Sequence, residues 1–249
     1  MAATVVTTFA DLIEKSMDSN NSPITLGADI DAREEEYLEP VTVGTGCNLD
    51  LNGHTLSNAF FANTGFFASG RSVTNGTLLN VYIDGEFRCY AERVTASMYV
   101  TGGVGLNLKR SAVDITCSPA NQKTQLANST TATCILSNVV VRNATFVGTT
   151  SGQLRLGTTH NFGGIVLDGC TFTAGKSSDI ITSFGGKHCY WACVNCTVDS
   201  SVTSFTMANA SYPLALVCAP LTADPTGIQR VSEADLRSSS YLESIGFLP

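Results

Sequence analysis

The stretch "HCYWACVNC" concentrates the side chains best suited to metal or thiol chemistry: His188, Cys189, Cys193 and Cys196. The Cys-x2-Cys spacing of Cys193 and Cys196 is one that zinc accepts, with thiolate sulfur and imidazole nitrogen as its natural ligands. The three histidines, His54, His160 and His188, do not combine with any serine and acid into a nucleophilic triad. "TGGVG" (101–105) lacks the Lys-Ser/Thr of a phosphate-binding loop and opens no helix, so it reads as a turn. Hydrolysis of a glycoside needs two carboxylates at a defined separation. The acids in the middle of the chain are few: Asp84, Glu86, Glu92, Asp114, Asp168 and Asp179.

What positions these residues is a repeat hidden under divergent letters. "VRNATF" (141–146), "LDGCTF" (167–172) and "CVNCTV" (193–198) share one phrase. Aligned on its threonine, the phrase recurs at Thr55, Thr77, Thr95, Thr116, Thr145, Thr171 and Thr197, at intervals of 22, 18, 21, 29, 26 and 26. Four residues before the threonine stand Leu51, Val73, Ala91, Ala112, Val141, Leu167 and Cys193; one after it stand Leu56, Leu78, Ala96, Cys117, Phe146, Phe172 and Val198. Both columns are apolar. Two residues before it stand Gly53, Asn75, Arg93, Asp114, Asn143, Gly169 and Asn195, mostly the types that enter the left-handed backbone region at least cost. Each repeat therefore reads as strand, one-residue left-handed bend, strand, with the threonine facing outward. Hairpins at Asn52-Gly53 and Asn75-Gly76 would not keep these columns in step.

Turns of 22–26 residues accommodate three short strands each, and a period in this range marks a solenoid. The expected fold is all-β: a single-stranded right-handed parallel β-helix with a short N-terminal capping helix, about 35–45 Å long for seven or more turns. In this register Cys193 and Cys196 fall in inward columns, as Cys170 does one turn earlier. They read as small hydrophobes in a stack. No metal is expected, and His188, Cys189, Cys193 and Cys196 remain the metal candidates. His54 also falls in an inward column and is expected as a core histidine. Asp168 shares its outward position with Arg142, so an ion pair between successive turns is expected.

Three segments follow. Residues 1–22 carry the cap: in "TTFADLIEKSMDSN" Phe9, Leu12, Ile13 and Ser16/Met17 share a helical face, with Thr8 or Thr7 as N-cap. Residues 23–206 form the β-helix. Residues 207–249 form a distal cap or subunit contact, with a helical stretch around Glu233–Arg237 and an apolar set of Tyr241, Leu242, Ile245, Phe247 and Leu248. "DAREEEYLEP" (31–40) is an acidic loop whose carboxylates lack an ordered Ca²⁺-ligand spacing. Two polar insertions, 118–133 and 148–163, are expected to project as loops.

Composition limits the function classes. Hydrophobic residues make up 43% and charged residues 14% of the 249, which predicts a packed, β-rich protein. Residues 1–70 carry a net charge of −8, residues 71–187 +4 and residues 188–249 −3. No concentrated basic face exists for nucleic acid, and no apolar run is long enough for a membrane span. The first residues lack the basic and apolar regions of a secretory signal, so the nine cysteines are expected as reduced thiols.

"ITLGADID" followed by "LDLNGHTLSN" resembles the opening turns of the pectin-lyase-like right-handed parallel β-helix superfamily, over roughly residues 5–205. Many such proteins cut acidic polysaccharides. The polygalacturonase pattern of Asn-Thr-Asp, paired Asp, Gly-His-Gly and Arg-Ile-Lys is absent; "NGHT" and "LKRS" do not match it. The resemblance extends to tail spikes and capsid decoration proteins of tailed bacteriophages, commonly homotrimers assembled in the host cytoplasm. It implies a non-enzymatic virion structural protein, in a decoration or short-spike role. Its implied partners are further copies of the chain, other virion proteins and a host-surface glycan, with no cofactor. A polysaccharide-degrading tail-spike enzyme is the alternative.

Overall fold

The computed structural model describes residues 4–105, 107–118, 131–135, 138–143, 145–147, 154–158, 162–173, 179–184, 188–194, 196–198, 204–207, 215–218, 229–230, 232–236 and 238–244. The chain divides into two units, Met1–Asn121 and Gln122–Pro249.

The first unit contains β1 (Thr4–Val6), α1 (Phe9–Ser16), β2 (Ile24–Leu26), β3 (Ile30–Asp31), β4 (Leu49–Asp50) and β5 (Thr55–Ser57). It continues with β6 (Phe60–Phe61), β7 (Ser72–Ile83), β8 (Tyr90–Val100), β9 (Asn107–Lys109) and β10 (Ala112–Cys117). The strand pairs are parallel, and like residue stands on like. Ile24, Leu49, Val73, Ala91 and Leu108 occupy one register position. Ile30, Leu56, Leu78, Ala96 and Val113 occupy a second, and Phe61, Ile83, Val100 and Cys117 a third. Every one of these side chains is buried. A zigzag of rings fills the space between the columns, with Phe61 6.3 Å from Phe66 and 5.6 Å from Phe67, and Phe67 5.9 Å from Phe87.

The expected left-handed bends stand at Gly53 (φ 85°), Asn75 (58°) and Arg93 (56°). Two placements differ from expectation. Val73 pairs with Leu49, not Leu51, although Thr55 and Thr77 do pair. Four residues separate Asp50 from Thr55 where two separate Thr74 from Thr77, so the bend at Asn52-Gly53 is two residues longer. That excursion lies against Gly76, where a Cβ would stand 2.5 Å from both the His54 carbonyl oxygen and Leu51 Cβ. Only glycine fits beneath it. The second difference is that Thr95 pairs with Ala112, and Thr116 with Tyr99. The bend falls on Arg110 (φ 51°) rather than Asp114, which lies inside β10.

The N-terminal helix forms as expected, with Thr8 as its N-cap accepting from the Asp11 amide at 3.1 Å. Phe9, Leu12 and Ser16 are buried, while Met17 is 59% exposed and outside the apolar face. Phe9 meets Phe61 at 6.0 Å, joining the helix to the core. The segment before it is not a plain lead-in but β1, parallel to β2. Gly44 passes so close to the end of α1 that a Cβ there would overlap the Ser16 carbonyl.

The acidic stretch 31–40 docks on this helix. Glu35 accepts from the first amides of α1, Oε1 from Phe9 N at 2.6 Å and Oε2 from Ala10 N at 3.4 Å. A carboxylate there satisfies otherwise orphaned donors and complements the helix dipole. Tyr37 packs edge-on against Phe9 at 5.0 Å.

The second unit is also built from parallel pairs. Its strands are β11 (Thr131–Ile135), β12 (Asn138–Arg142), β13 (Thr145–Val147), β14 (Leu154–Thr158), β15 (Phe162–Asp168) and β16 (Thr171–Thr173). These are followed by β17 (Asp179–Phe184), β18 (His188–Val194), β19 (Thr197–Val198), β20 (Ser204–Met207), β21 (Ala215–Cys218) and β22 (Gln229–Arg230). Thr145, Thr171 and Thr197 stack in register as expected, and Asn143 (φ 59°) and Gly169 (φ 61°) make the bends. Asn195 lies outside the described residues. The insertion 148–163 is not wholly a loop: β14 pairs with β11 on one side and β17 on the other. Parallel pairing also extends past Thr206, through β21 on β18 and β22 on β21. The short helices α2 (Glu233–Leu236) and α3 (Ser239–Ser244) follow.

The frame predicts opposite responses at two neighbouring positions. Arg110→Gly removes left-handed strain and should raise stability by about 0.5–1 kcal/mol. Asp114→Gly loosens a strand and should lower it by about as much. Urea denaturation midpoints of the two variants check the sign of each.

Candidate functional site

His188, Cys189 and Cys193 lie on β18, in register with Phe162, Gly163 and Leu167 of β15. Cys196 is buried beyond the strand. Among the described residues no group of three His, Cys, Asp or Glu side chains is placed to hold a metal ion. Cys170 is buried and donates to the Val141 carbonyl at 3.4 Å. Burial pushes the thiols of Cys89 and Cys117 up to about 12, far from the thiolate needed for nucleophilic or metal chemistry. Tyr241 and Leu242 lie on α3, Tyr241 half-buried. Ile245, Phe247, Leu248 and His160 lie outside the described residues. No helix among the described residues is long and apolar enough to cross a membrane.

His54 is not a core histidine. Its ring is half-exposed, with Nδ1 3.2 Å from Asp29 Oδ1. The expected Arg142–Asp168 pair forms, Nε to Oδ2 at 3.8 Å, between residues in direct register.

Five further acids reach to the next repeat. Asp29 accepts from the Thr55 amide at 2.9 Å. Asp31 accepts from Asn58 Nδ2 at 2.8 Å. Asp50 accepts from Thr74 at 3.3 Å and Asn75 at 3.1 Å. Asp84 accepts from Thr101 at 2.7 Å. Glu92 accepts from the Tyr90 hydroxyl at 2.7 Å and pairs with Lys109 at 3.1 Å. Hydrogen bonds from Tyr90 and Lys109 hold Glu92 below the usual carboxylate range, and the Thr55 amide with His54 does so for Asp29. For Asp31, burial pulls upward, but donors led by the Arg33 amide and Asn58 outweigh it.

A cavity lies in the first unit. It holds about 350 Å³ and is lined by Arg33, Tyr37, Leu38, Asn58, Ala59, Phe60, Asn80 and Tyr82. Its wall is the segment that Glu35 and Tyr37 fasten to α1. Its floor is the Phe60–Tyr82 pair, and Tyr82 continues an aromatic ladder to Tyr99 beyond the lining. The ring centroids are 4.1 Å apart with a 60° tilt, then 5.1 Å apart and nearly parallel. Beside the rings, Asn80 Nδ2 reaches Asn58 Oδ1 at 3.4 Å. Both asparagines are left-handed, φ 52° at Asn58 and 54° at Asn80. Asn80 has no partner in β8, where the register shifts between Leu79 and Val81.

This cavity was missed in the sequence, yet its signal is there. Asn58 and Asn80 each stand three residues after the column threonine, and Phe60 and Tyr82 each five after. Columns extended past the bend find them. Comparisons with protein-family models, with curated proteins and with solved structures returned no match to this chain.

Two measurements follow. Carboxylates held low in the folded state stabilise it above their unfolded pKa, near about 4. That stability should fade as pH drops below this value through the folded pKa values, and Glu92→Gln should flatten the fall in a series of acid denaturation midpoints. Cys47, Cys89, Cys117, Cys170 and Cys196, all buried, should resist iodoacetamide at mildly alkaline pH in the folded protein. They should react fully once it is denatured, as read by peptide mass spectrometry.

Proposed function

We propose that the parallel repeats wind as a single-stranded right-handed β-helix of the pectin-lyase-like kind. In this reading the chain is a non-enzymatic structural protein on the surface of a tailed bacteriophage particle, a capsid decoration protein or short spike. The observation that carries it is the use made of the acids. Asp29, Asp31, Asp50, Asp84, Glu92 and Asp168 each bond to a group in a neighbouring repeat. A hydrolytic centre holds a carboxylate pair toward its substrate; these carboxylates serve as struts between repeats. Stiffness and buried, unreactive thiols suit a protein that stands on a particle and must endure.

Copies associate as a homotrimer in this reading, through the apolar set of Tyr241, Leu242, Ile245, Phe247 and Leu248, since such side chains need cover. Other virion proteins hold the trimer in place. The compartment is the virion, assembled in the host cytoplasm.

Quantitative mass spectrometry of purified particles tests the assignment. The chain should copurify with virions, in hundreds of copies for a head protein or up to a few dozen for a tail protein. Its absence from particles, or release of reducing or unsaturated ends when it is incubated with host-surface polysaccharide, would overturn the reading.

A further inference from the structure

The cavity beside the aromatic ladder is lined by groups that bond between repeats yet keep spare polar capacity, and its lining has a definite chemistry. We propose that it is a binding site for a neutral saccharide of about two pyranose units. The floor presents the half-buried rings of Phe60 and Tyr82 as an open ledge, not a slot between parallel faces. A pyranose offers a face of C–H groups carrying slight positive charge, which suits the negative face of an aromatic ring. Its hydroxyls both donate and accept, and a carboxamide does the same. Asn80 is exposed, and its one side-chain bond among the described residues is donated by Nδ2 to Asn58. Its carbonyl oxygen and second N–H remain for a ligand. The exposed guanidinium of Arg33 adds donors from the wall, and Leu38, 70% exposed, offers an apolar edge.

Size and charge narrow the occupant. At about 350 Å³ the cavity lies at the small end of ligand sites, about 300–1,000 Å³, and is too confined for a protein interface. The segment that supplies Arg33, Tyr37 and Leu38 also carries Glu34, Glu36 and Glu39, all exposed. Against these a single guanidinium does not make a site for phosphate or nucleic acid, which requires convergent cations or amides. A neutral, hydroxyl-rich ligand meets no such repulsion.

The site is built by two matched irregularities. Asn58 and Asn80 each follow a paired strand residue, Ser57 and Leu79, and precede the Phe60–Tyr82 pair. The corresponding stretch of β8 runs from Ser97 through Met98 to Tyr99 with one residue fewer. Two left-handed asparagines thus stack over each other and raise their amides beside the rings, and the repeat then returns to its shorter form.

The inference extends the display reading to a ligand but is scored without particles, so particle association and saccharide binding succeed or fail separately. The test is saturation-transfer difference NMR of the full chain with cellobiose, lactose, chitobiose, maltose and N-acetyllactosamine. Cellobiouronic acid serves as the acidic control. At least one neutral disaccharide should receive saturation through its ring C–H protons, with a millimolar or tighter Kd, and the acidic control should bind more weakly. Asn80→Gly keeps the left-handed backbone while removing the amide, and should weaken binding several-fold. Tyr82→Leu should weaken it by about 10-fold or more, with circular dichroism reporting that the fold is kept. No transfer to any neutral disaccharide at ligand concentrations well above millimolar overturns the proposal. So does binding that Asn80→Gly and Arg33→Ala both leave unchanged, or a preference for cellobiouronic acid.

Discussion

Parallel in-register pairing places each side chain directly over its counterpart one repeat away. In an antiparallel sheet a column mixes residues from strands running opposite ways; here it holds equivalents, and equivalents must tolerate one another at strand spacing. Apolar residues do so by packing, which is why the columns of Val73, Leu78 and Ile83 are buried throughout the first unit. Amides do so by donating and accepting along the column, as Asn80 does to Asn58. Carboxylates do not tolerate a carboxylate above them. Acids accordingly face donors: Asp31 meets Asn58, Asp50 meets Thr74 and Asn75, and Glu92 meets Lys109. The sparse charge of the sequence and its wealth of threonine and asparagine express the same constraint.

Repeats that differ in length can satisfy this rule only by putting the difference somewhere harmless. The chain puts it at left-handed residues. Asn52 and Gly53 absorb two extra residues above Gly76, and Asn58 and Asn80 absorb one each. A one-residue slip would turn every following side chain to the opposite face; with the extra residue set aside at Asn80, Ile83 still stands over Val100. The same rule explains Arg110. It is a poor residue for positive φ, yet the bend must fall there to keep Val113 over Ala96.

The repeat was legible wherever its letters carried backbone meaning. Gly169 and Asn143 announced their bends, and the threonines at 55, 77 and 95 and at 145, 171 and 197 gave true register. Thr8 as a cap and Arg142 beside Asp168 were legible too. Thr116 misled because strand alternation has period two. A shift of four residues along "AVDITC" leaves Val113, Ile115 and Cys117 inward either way, and aspartate looks more like a bend than arginine does. Leu51 misled because a two-residue excursion preserves the phrase around it while moving its partner to Leu49. Glu35 gave no sign at all: its role is to meet amides twenty-five and twenty-six residues earlier in the chain, and an acidic run looks the same whether solvated or docked.

The cavity was hardest to see for a reason that bears on function. Chemistry sought as clusters of histidine, cysteine and acid leads to the columns, because that is where such residues recur. In a stack of equivalents those residues are committed to their neighbours, as the Cys170 thiol is to a backbone carbonyl and the acids are to donors one repeat away. A site can open only where the commitment lapses, which requires a change of repeat length to leave groups without a counterpart. Asn80 is such a group, since the following strand has no residue opposite it. The segment that Glu35 fastens to α1 adds a side wall to that lapse. The positions where the phrase breaks are therefore both the structural exceptions and the places where this chain can recognise something other than itself.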